Sequence, residues 1–270
     1  MALSLQIISD IHLEFMRETQ VSFNNIVTPS AKVLALLGDI ATLHTPFLES
    51  FLVWCKDNWE HVLYLPGNHE YYNGNCKNKV SMPEIDCQLE ALCIKTGVNW
   101  LANRVLDIEG HRFIGSTLWS KVPVDYSFRI ESGLNDYRRI YVSSEEPLSV
   151  EITNSLFEIN RNFIISSLES SISENISSVV VLTHHTPSMK GTSDPIYDDS
   201  SLRFAFSTEI SLPDHLKERI RFWCCGHTHY NFNFLHCQNG REFYRLISNQ
   251  RGYFGENPVP SYKMDFCLCL

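Results

Sequence analysis

The 270-residue sequence has no apolar run approaching the roughly eighteen residues that a membrane-spanning helix needs, so a helical span is not expected. Its start, MALSLQIISDIHLEF, has no basic n-region and only a short apolar stretch, which does not fit a secretory signal. Positive charge is also scarce: 22 Lys and Arg stand against 31 Asp and Glu, for a formal net charge of −9 and a pI near 5.6. Such a surface repels nucleic-acid polymers and anionic membranes on average, and there is no long basic run to offset it. A small or locally steered ligand fits better, and neither a membrane nor a nucleic-acid polymer is expected as a partner. A G-x-S-x-G elbow and a P-loop pattern are both missing, which removes two common routes to covalent or nucleotide chemistry. No internal repeat or low-complexity tract stands out.

No C-x-x-C pair occurs, so a thiolate zinc site has little support. The nine cysteines are odd in number, and most sit in apolar runs (Cys93, Cys224, Cys225, Cys267, Cys269). That pattern points to reduced, buried thiols in a cytoplasmic protein rather than to a disulfide scaffold. The final Cys-Leu-Cys-Leu nominally matches a prenylation box, but continuous apolar residues are also what a final buried strand over Met264–Leu270 requires. Asn175-Ile176-Ser177 matches a glycosylation acceptor that a cytoplasmic chain would never present to that machinery.

Short β-type runs alternate with helical patterns. Leu5–Ser9, Val33–Leu37 and Val62–Leu65 read as strands, and Phe47–Trp59 and Pro83–Lys95 as amphipathic helices. Beyond Asn99 come closely spaced strands at Arg104–Ile108 and Arg112–Ser116, an irregular stretch Thr117–Glu146, and a long helix from about Leu148 to Ser170. Strands resume at Val179–Thr183 and Phe222–Cys225. A hairpin-rich tail follows, with Phe232–His236, Phe243–Ile247 and an Asn239-Gly240 turn signal between them. This order predicts an α/β fold: a four-layer αββα sandwich of two mixed β-sheets flanked by helices, forming one domain over residues 1–270.

Five segments follow directly on buried-strand patterns: Asp10-Ile11-His12, Gly38-Asp39, Gly67-Asn68-His69-Glu70, His184-His185 and Gly226-His227-Thr228-His229. Ligands of α/β sheets gather beyond the carboxyl ends of strands, so these loops can converge although they span 220 residues. A lone histidine is ordinarily a surface or satisfied core residue; the joint placement of Asp, His and Asn at successive strand ends reverses that expectation. Carboxylate, imidazole and amide oxygen suit divalent Mn, Fe or Zn, whereas a soft-metal site would recruit the available thiolates. Seven such donors are too many for one catalytic ion with an open position, but suffice for two ions about 3.5–4 Å apart that share a carboxylate. Asp39 is the natural bridge.

The series D-x-H, G-D, G-N-H-[DE], H-H and G-H-x-H, in this order from residue 10 to 229, resembles the calcineurin-like metallophosphoesterase superfamily. The resemblance implies a dinuclear hydrolase of phosphomonoesters or phosphodiesters, acting by in-line attack of a metal-bridging water. Asp10, His12, Asp39 and His229 would hold the first metal, and Asp39, Asn68, His184 and His227 the second. His69 would touch the substrate phosphate and help protonate the leaving oxygen, with Asn68 and Asp39 also counted in the catalytic set and Glu70 orienting His69 from behind. The preference for His184 over His185 as the ligand also rests on the resemblance. One departure is that many members carry an acidic or amide residue three positions beyond the Asp of G-D, whereas Ile40, Ala41 and Thr42 follow here.

Asn135-Asp136-Tyr137-Arg138 and Ser248-Asn249-Gln250-Arg251-Gly252-Tyr253 resemble a branch of small, mostly bacterial-type hydrolases of that superfamily. A polar loop and a turn closing the last hairpin are the plainer alternatives for these two segments. The thirty residues of Thr117–Glu146 bring Trp119, Tyr126, Phe128 and Tyr137 beside Arg129, Arg138 and Arg139. Such a loop suits stacking on an aryl or base group with an arginine on a phosphate oxygen, which predicts a substrate-side insertion. Arg138, Tyr137, His185 and Arg251 are the candidate substrate contacts, and the expected substrate is a phosphorylated small molecule or nucleotide. Two other readings stand beside this one: a non-catalytic protein-binding scaffold of the same fold, and a phosphoprotein phosphatase.

Overall fold

A computed structural model describes residues 2–16, 22–74, 79–174, 176, 178–253 and 259–270. The first half builds β1 (Ser4–Ile8), β2 (Val33–Leu37), α1 (Leu48–Asn58), β3 (His61–Leu65), α2 (Met82–Thr96) and β4 (Asn99–Trp100). The second contributes β5 (Arg104–Ile108), β6 (His111–Ser116), α3 (Ser127–Gly133), α4 (Asp136–Arg139), α5 (Val150–Ser173), β7 (Ser178–Thr183), α6 (Asp214–Lys217), β8 (Ile220–Cys225), β9 (Asn233–Gln238), β10 (Arg241–Ser248) and β11 (Cys267–Cys269).

These strands form two sheets, ordered β11-β1-β2-β3-β4 and β5-β6-β7-β8-β10-β9. Strands β1 to β4 pair in parallel, as do β6, β7, β8 and β10, while β11, β5 and β9 are antiparallel edges. Both sheets are therefore mixed. Side-chain alternation along the strands explains the layering. Leu5, Ile7, Val33, Ala35 and Leu37 join Phe113, Val180, Leu182 and Ile247 in a core between the sheets. Ile8, Leu34 and Leu36 face the other way, onto Phe51, Leu52 and Leu89 of α1 and α2. Val179, Val181, Trp223 and Leu246 likewise meet Phe157, Ile164 and Leu168 of α5. The result is the four-layer αββα sandwich, with helices on both outer faces.

Local sequence explains where the helices begin and end. Ser81 and Glu84 form a reciprocal capping box at the start of α2, and Gly97, at φ 75°, closes it in a left-handed conformation. Ser149 caps α5 by accepting from the Ile152 N–H. Asn239 and Gly240, both at positive φ, turn β9 into β10, as the Asn-Gly signal predicts.

Three expectations need correction. The stretch 117–146 is less irregular than its composition predicts, because it carries α3 and α4. The terminal strand is shorter than Met264–Leu270 and lies at a sheet edge, so Cys267 and Cys269 are exposed rather than buried, and so are Cys87 and Cys237. Periodicity alone does not separate an edge from a central strand when both faces of the run are apolar. The segment Ser248–Tyr253 does not close a hairpin; it leaves β10 and crosses to β1. Asn175 and Ser177 lie outside the described residues. Among the described residues, no helix is long and apolar enough to cross a membrane.

Candidate metal centre

The five segments meet beyond the carboxyl ends of β1, β2, β3, β7 and β8. Backbone bonds lace them together: Asp10 N–H donates to Gly38 O (3.1 Å), His12 N–H to Asp39 O (3.0 Å), and Gly226 N–H to His184 O (2.8 Å). Ser248–Tyr253 joins the sheets at the same place, through Arg251 N–H on Ser9 O (3.1 Å), Asn249 Nδ2 on Ile7 O (2.9 Å) and Gln250 Oε1 accepting from His229 N–H (2.6 Å). Asp10, His12, Asp39, His227 and His229 all sit at positive φ, between 49° and 74°. Left-handed backbone is costly for residues with a Cβ, and its clustering on five candidate donors marks a site where geometry outranks local comfort.

The glycines that precede the donors have a steric reason. A Cβ on Gly67 would lie 2.3 Å from Asp39 Oδ1 and 2.7 Å from His184 Cε1; one on Gly38, which is at φ 81°, would lie 2.5 Å from Gly67 N and 2.6 Å from His184 Nδ1. Only glycine lets the strand ends approach this closely.

Three groups of side chains each bring donor atoms within 4.8 Å of one another: Asp10 with His12 and His229, His12 with Asp39 and His69, and Asp39 with His184 and His227. Nε2 of His12 and Nε2 of His229 are 3.1 Å apart, and so are Nε2 of His184 and Nδ1 of His227. Asn68 Oδ1 lies 3.1 Å from His184 Nε2. Asp39 reaches both sides, with Oδ1 3.4 Å from His184 Nε2 and Oδ2 3.8 Å from His12 Nε2. The tautomer of His184 is fixed because its Nδ1 lies 2.8 Å from Leu37 O, to which it must donate, leaving the Nε2 lone pair facing the donors.

Electrostatics complete the fit. Burial holds His184 and His12 down at about 4 and pushes His227 well below the ordinary imidazole range, so these rings are neutral at pH 7, the form that binds a cation. Burial pushes Asp39 well above the usual carboxylate range, reinforced by the nearby Glu70 and Asp10 charges. Burial would raise Asp10 as well, but the hydrogen bond and charge of His229 outweigh it and hold the carboxyl low. Among the described residues, the ion-pair partners of Asp10, Asp39 and Glu14 are all histidines. A buried carboxylate cluster of this kind lacks a permanent positive charge, and nitrogen and oxygen donors that converge without a lysine or arginine suit divalent metal ions.

The sequence matches the family model for calcineurin-like phosphoesterases over residues 4–231. The chain belongs to the calcineurin-like phosphoesterase family. It is 30% identical over 285 aligned positions to uncharacterized protein L509 of Acanthamoeba polyphaga mimivirus, with 98% of each chain covered. Its fold resembles that of the phosphopantetheinyl hydrolase PptH from Mycobacterium tuberculosis, with a TM-score of 0.67 at 17% identity over 93% of this chain and 90% of the other. Family membership together with the donor groups makes this a metal-dependent phosphoesterase, and the family implies divalent metal cofactors.

In this phosphoesterase the carboxylate that orients His69 is not its sequence neighbour. Glu70 is fully buried and turned away. It accepts from Gly67 N (2.6 Å), Asp39 N (2.9 Å), Ile40 N (2.8 Å) and Tyr64 OH (2.9 Å), and so clamps the Asp39 loop to the Gly67 loop. His69 Nδ1 instead meets Glu14 Oε1 at 2.8 Å. Nothing in the spacing of Glu14 distinguishes it in the sequence; its position two residues past His12, on the same loop, is the one signal that could have pointed to it.

A cavity of about 280 Å³ opens on Asp39, Asn68, His69, His227 and His229. Phe15, Tyr72, Phe206 and Tyr253 wall it, and Arg139 is its cation. A larger depression beside α5, lined by Lys121, Glu131, Glu151 and Glu158, contains none of the donors. Arg139 stands 5.7 Å above the Tyr72 ring. The expected contacts Arg138, Tyr137, His185 and Arg251 do not line the cavity. Arg138 is exposed and donates to the Ser132 carbonyl, and Tyr137 is buried with its hydroxyl 3.5 Å from Thr153 Oγ1. His185 lies between Trp119 and His227 with Nδ1 2.9 Å from Ser120 Oγ. Arg251 is half-buried in the segment that joins the sheets.

Proposed function

We propose that the chain, acting as one metallophosphoesterase domain over residues 1–270, is a dinuclear hydrolase of a small phosphorylated molecule that carries an aromatic or other planar group. The observation that supports this most is the double reach of Asp39, whose two carboxylate oxygens face separate donor groups at the floor of the cavity. Asp10, His12, Asp39 and His229 would hold one ion, and Asp39, Asn68, His184 and His227 the other. When bound, a pair of Mn, Fe or Zn ions supplies Lewis acidity toward the phosphoryl oxygens and lowers the pKa of water for in-line attack.

The protein's own groups do the rest. His69, hydrogen-bonded to Glu14 and stacked on Tyr72 with centroids 4.2 Å apart, is held with its Nε2 toward Asp39 (3.9 Å), placed to give a proton to the leaving oxygen. Arg139, from the 117–146 segment, offers a charge-assisted contact to an anionic oxygen at the cavity wall. Phe15, Tyr253 and Phe206 line the cavity with aromatic rings against which a planar group could pack. A volume of about 280 Å³ suits a compact ester better than a phosphorylated protein surface or a polymer strand. The eight described cysteines are all free and four are exposed, which supports a reducing compartment such as the cytoplasm.

The test is elemental analysis of the purified protein, then assay of a phosphomonoester, a phosphodiester and cyclic nucleotides after Mn²⁺ reconstitution. Close to two ions per chain and turnover of at least one small ester are expected. Two bound ions with no turnover of any ester would favour the protein-binding scaffold instead, and one ion or none under saturating Mn²⁺ would overturn the dinuclear centre.

A further inference from the structure

An asparagine amide can present either its oxygen or its NH₂ to a site, and only the oxygen binds a cation. In the dinuclear centre Asn68 is a metal ligand, so the direction of its amide matters, and the role inferred for its neighbour depends on that centre. Asn68 Nδ2 donates to Asp136 Oδ1 at 2.9 Å, while Asn68 Oδ1 faces His184 Nε2 at 3.1 Å. Asp136 is nearly fully buried, and its hydrogen bonds come from Asn68 and from the Tyr72 hydroxyl, which donates to the same Oδ1 at 2.5 Å. The Tyr72 ring in turn stacks on His69 at 4.2 Å with the planes 25° apart.

We propose that Asp136 is a positioning residue of the metal centre: it holds the Asn68 amide with its oxygen toward the metal and, through Tyr72, seats the His69 ring. One oxygen of Asp136, Oδ1, accepts from both the Tyr72 hydroxyl and the Asn68 amide, and an accepting oxygen can only be met by the NH₂ end of that amide. The Asn68 NH₂ therefore turns to Asp136, and the carbonyl oxygen is left for the cation. Asp136 stands at the start of α4, 68 residues from Asn68 in the chain. Its own placement is fixed by Asn73 N–H donating to Arg139 O (2.8 Å) and by the α4 bonds from the Arg138 and Arg139 N–H groups to Asn135 O (3.0 and 2.9 Å). The 117–146 segment thus has two tasks at the centre. Arg139 and Asp136 both line the cavity, and Asp136 there holds the Asn68 amide. Burying a carboxyl group on two neutral donors costs stability, and that cost is understandable if the group sets the geometry of a site.

The experiment is a calorimetric Mn²⁺ titration of the metal-stripped, full-length protein. The wild-type chain serves as control, and failure to show two binding events there would overturn the dinuclear centre rather than the role of Asp136. Asp136→Ala should weaken one event by about 10- to 100-fold, the usual loss for a group that orients a metal ligand, and leave the other in place. A merely structural role would weaken both events together or lower the melting temperature without a selective loss. If Asp136→Ala does not fold, the isosteric Asp136→Asn decides, because its amide can turn either face to Asn68 and should weaken the same event by a smaller factor. Folded variants that bind both ions with wild-type affinity would overturn the proposal.

Discussion

His69 Nδ1 and His12 Nδ1 share one carboxylate oxygen, Glu14 Oε1, at 2.8 and 3.3 Å. Burial would raise the Glu14 carboxyl, yet hydrogen bonds from both rings outweigh it and hold it down at about 2, so it is ionised throughout the physiological range. An ionised acceptor at Nδ1 fixes the His69 tautomer with its proton there and leaves Nε2 facing the cavity. Glu14 thus reaches His69 from the first loop, two residues past His12.

Glu14→Gln should therefore lower kcat by on the order of 10- to 100-fold for esters with alkoxide leaving groups at saturating Mn²⁺. The loss should be much smaller with a p-nitrophenyl ester, whose leaving group is stable as an anion. Steady-state kinetics across a leaving-group series provide the check. Equal losses for good and poor leaving groups would place the effect of Glu14 on the metal site through His12 and not on proton transfer by His69.

The fold, and the convergence of the candidate donors, were legible in the sequence because strand periodicity and strand-end chemistry are both local. The short apolar runs Leu5–Ile8 and Val33–Leu37, too short for a helix and buried on both faces, are enough to mark strands, and Asp10, Asp39, Asn68, His184 and His227 each follow such a run. What surrounds the donors was not local. Glu70 adjoins His69 in the chain but points elsewhere, since successive residues of the 3-10 turn His69–Tyr71 are about a third of a turn apart. Likewise, adjacency gives no way to choose between Arg138 and Arg139, because the choice depends on how α4 rolls against Tyr72.

That choice yields a paired prediction. Arg139 lines the cavity and Arg138 is tied to the Ser132 carbonyl outside it. Arg139→Ala should lower kcat/KM for the preferred ester by about ten-fold or more, the scale of a lost charge-assisted contact of about 1.5–3 kcal/mol. Arg138→Ala should change kcat/KM by less than about two-fold, since an exposed side chain bonded to a carbonyl contributes little. Kinetics of the two variants side by side, with metal content measured in each, decide the matter; a larger effect at Arg138 would relocate the substrate-facing surface.

The neutral histidines make the metal-free protein sensitive to mild acid. His12 and His184 are held at about 4 in the fold by burial, whereas in the unfolded chain they titrate near the ordinary value of 6.5. Between these limits the unfolded state binds more protons than the native state, so stability falls as the pH is lowered from about 6.5 toward 4 and then levels off for these two groups. Each would cost on the order of 3 kcal/mol once the pH is below about 4, following from about 1.4 kcal/mol per unit. Asp39 acts in the opposite sense, because a carboxyl pushed up by burial is relieved as it gains its proton, and part of the loss is offset. Bound divalent ions stabilise the neutral rings by mass action, so loading with Mn²⁺ should move the acid transition to lower pH. Urea melts of stripped and Mn²⁺-loaded protein at steps from pH 7.5 to 4.5 measure both effects. A stripped protein as stable at pH 5 as at pH 7 would show that these histidines are not buried as neutral rings.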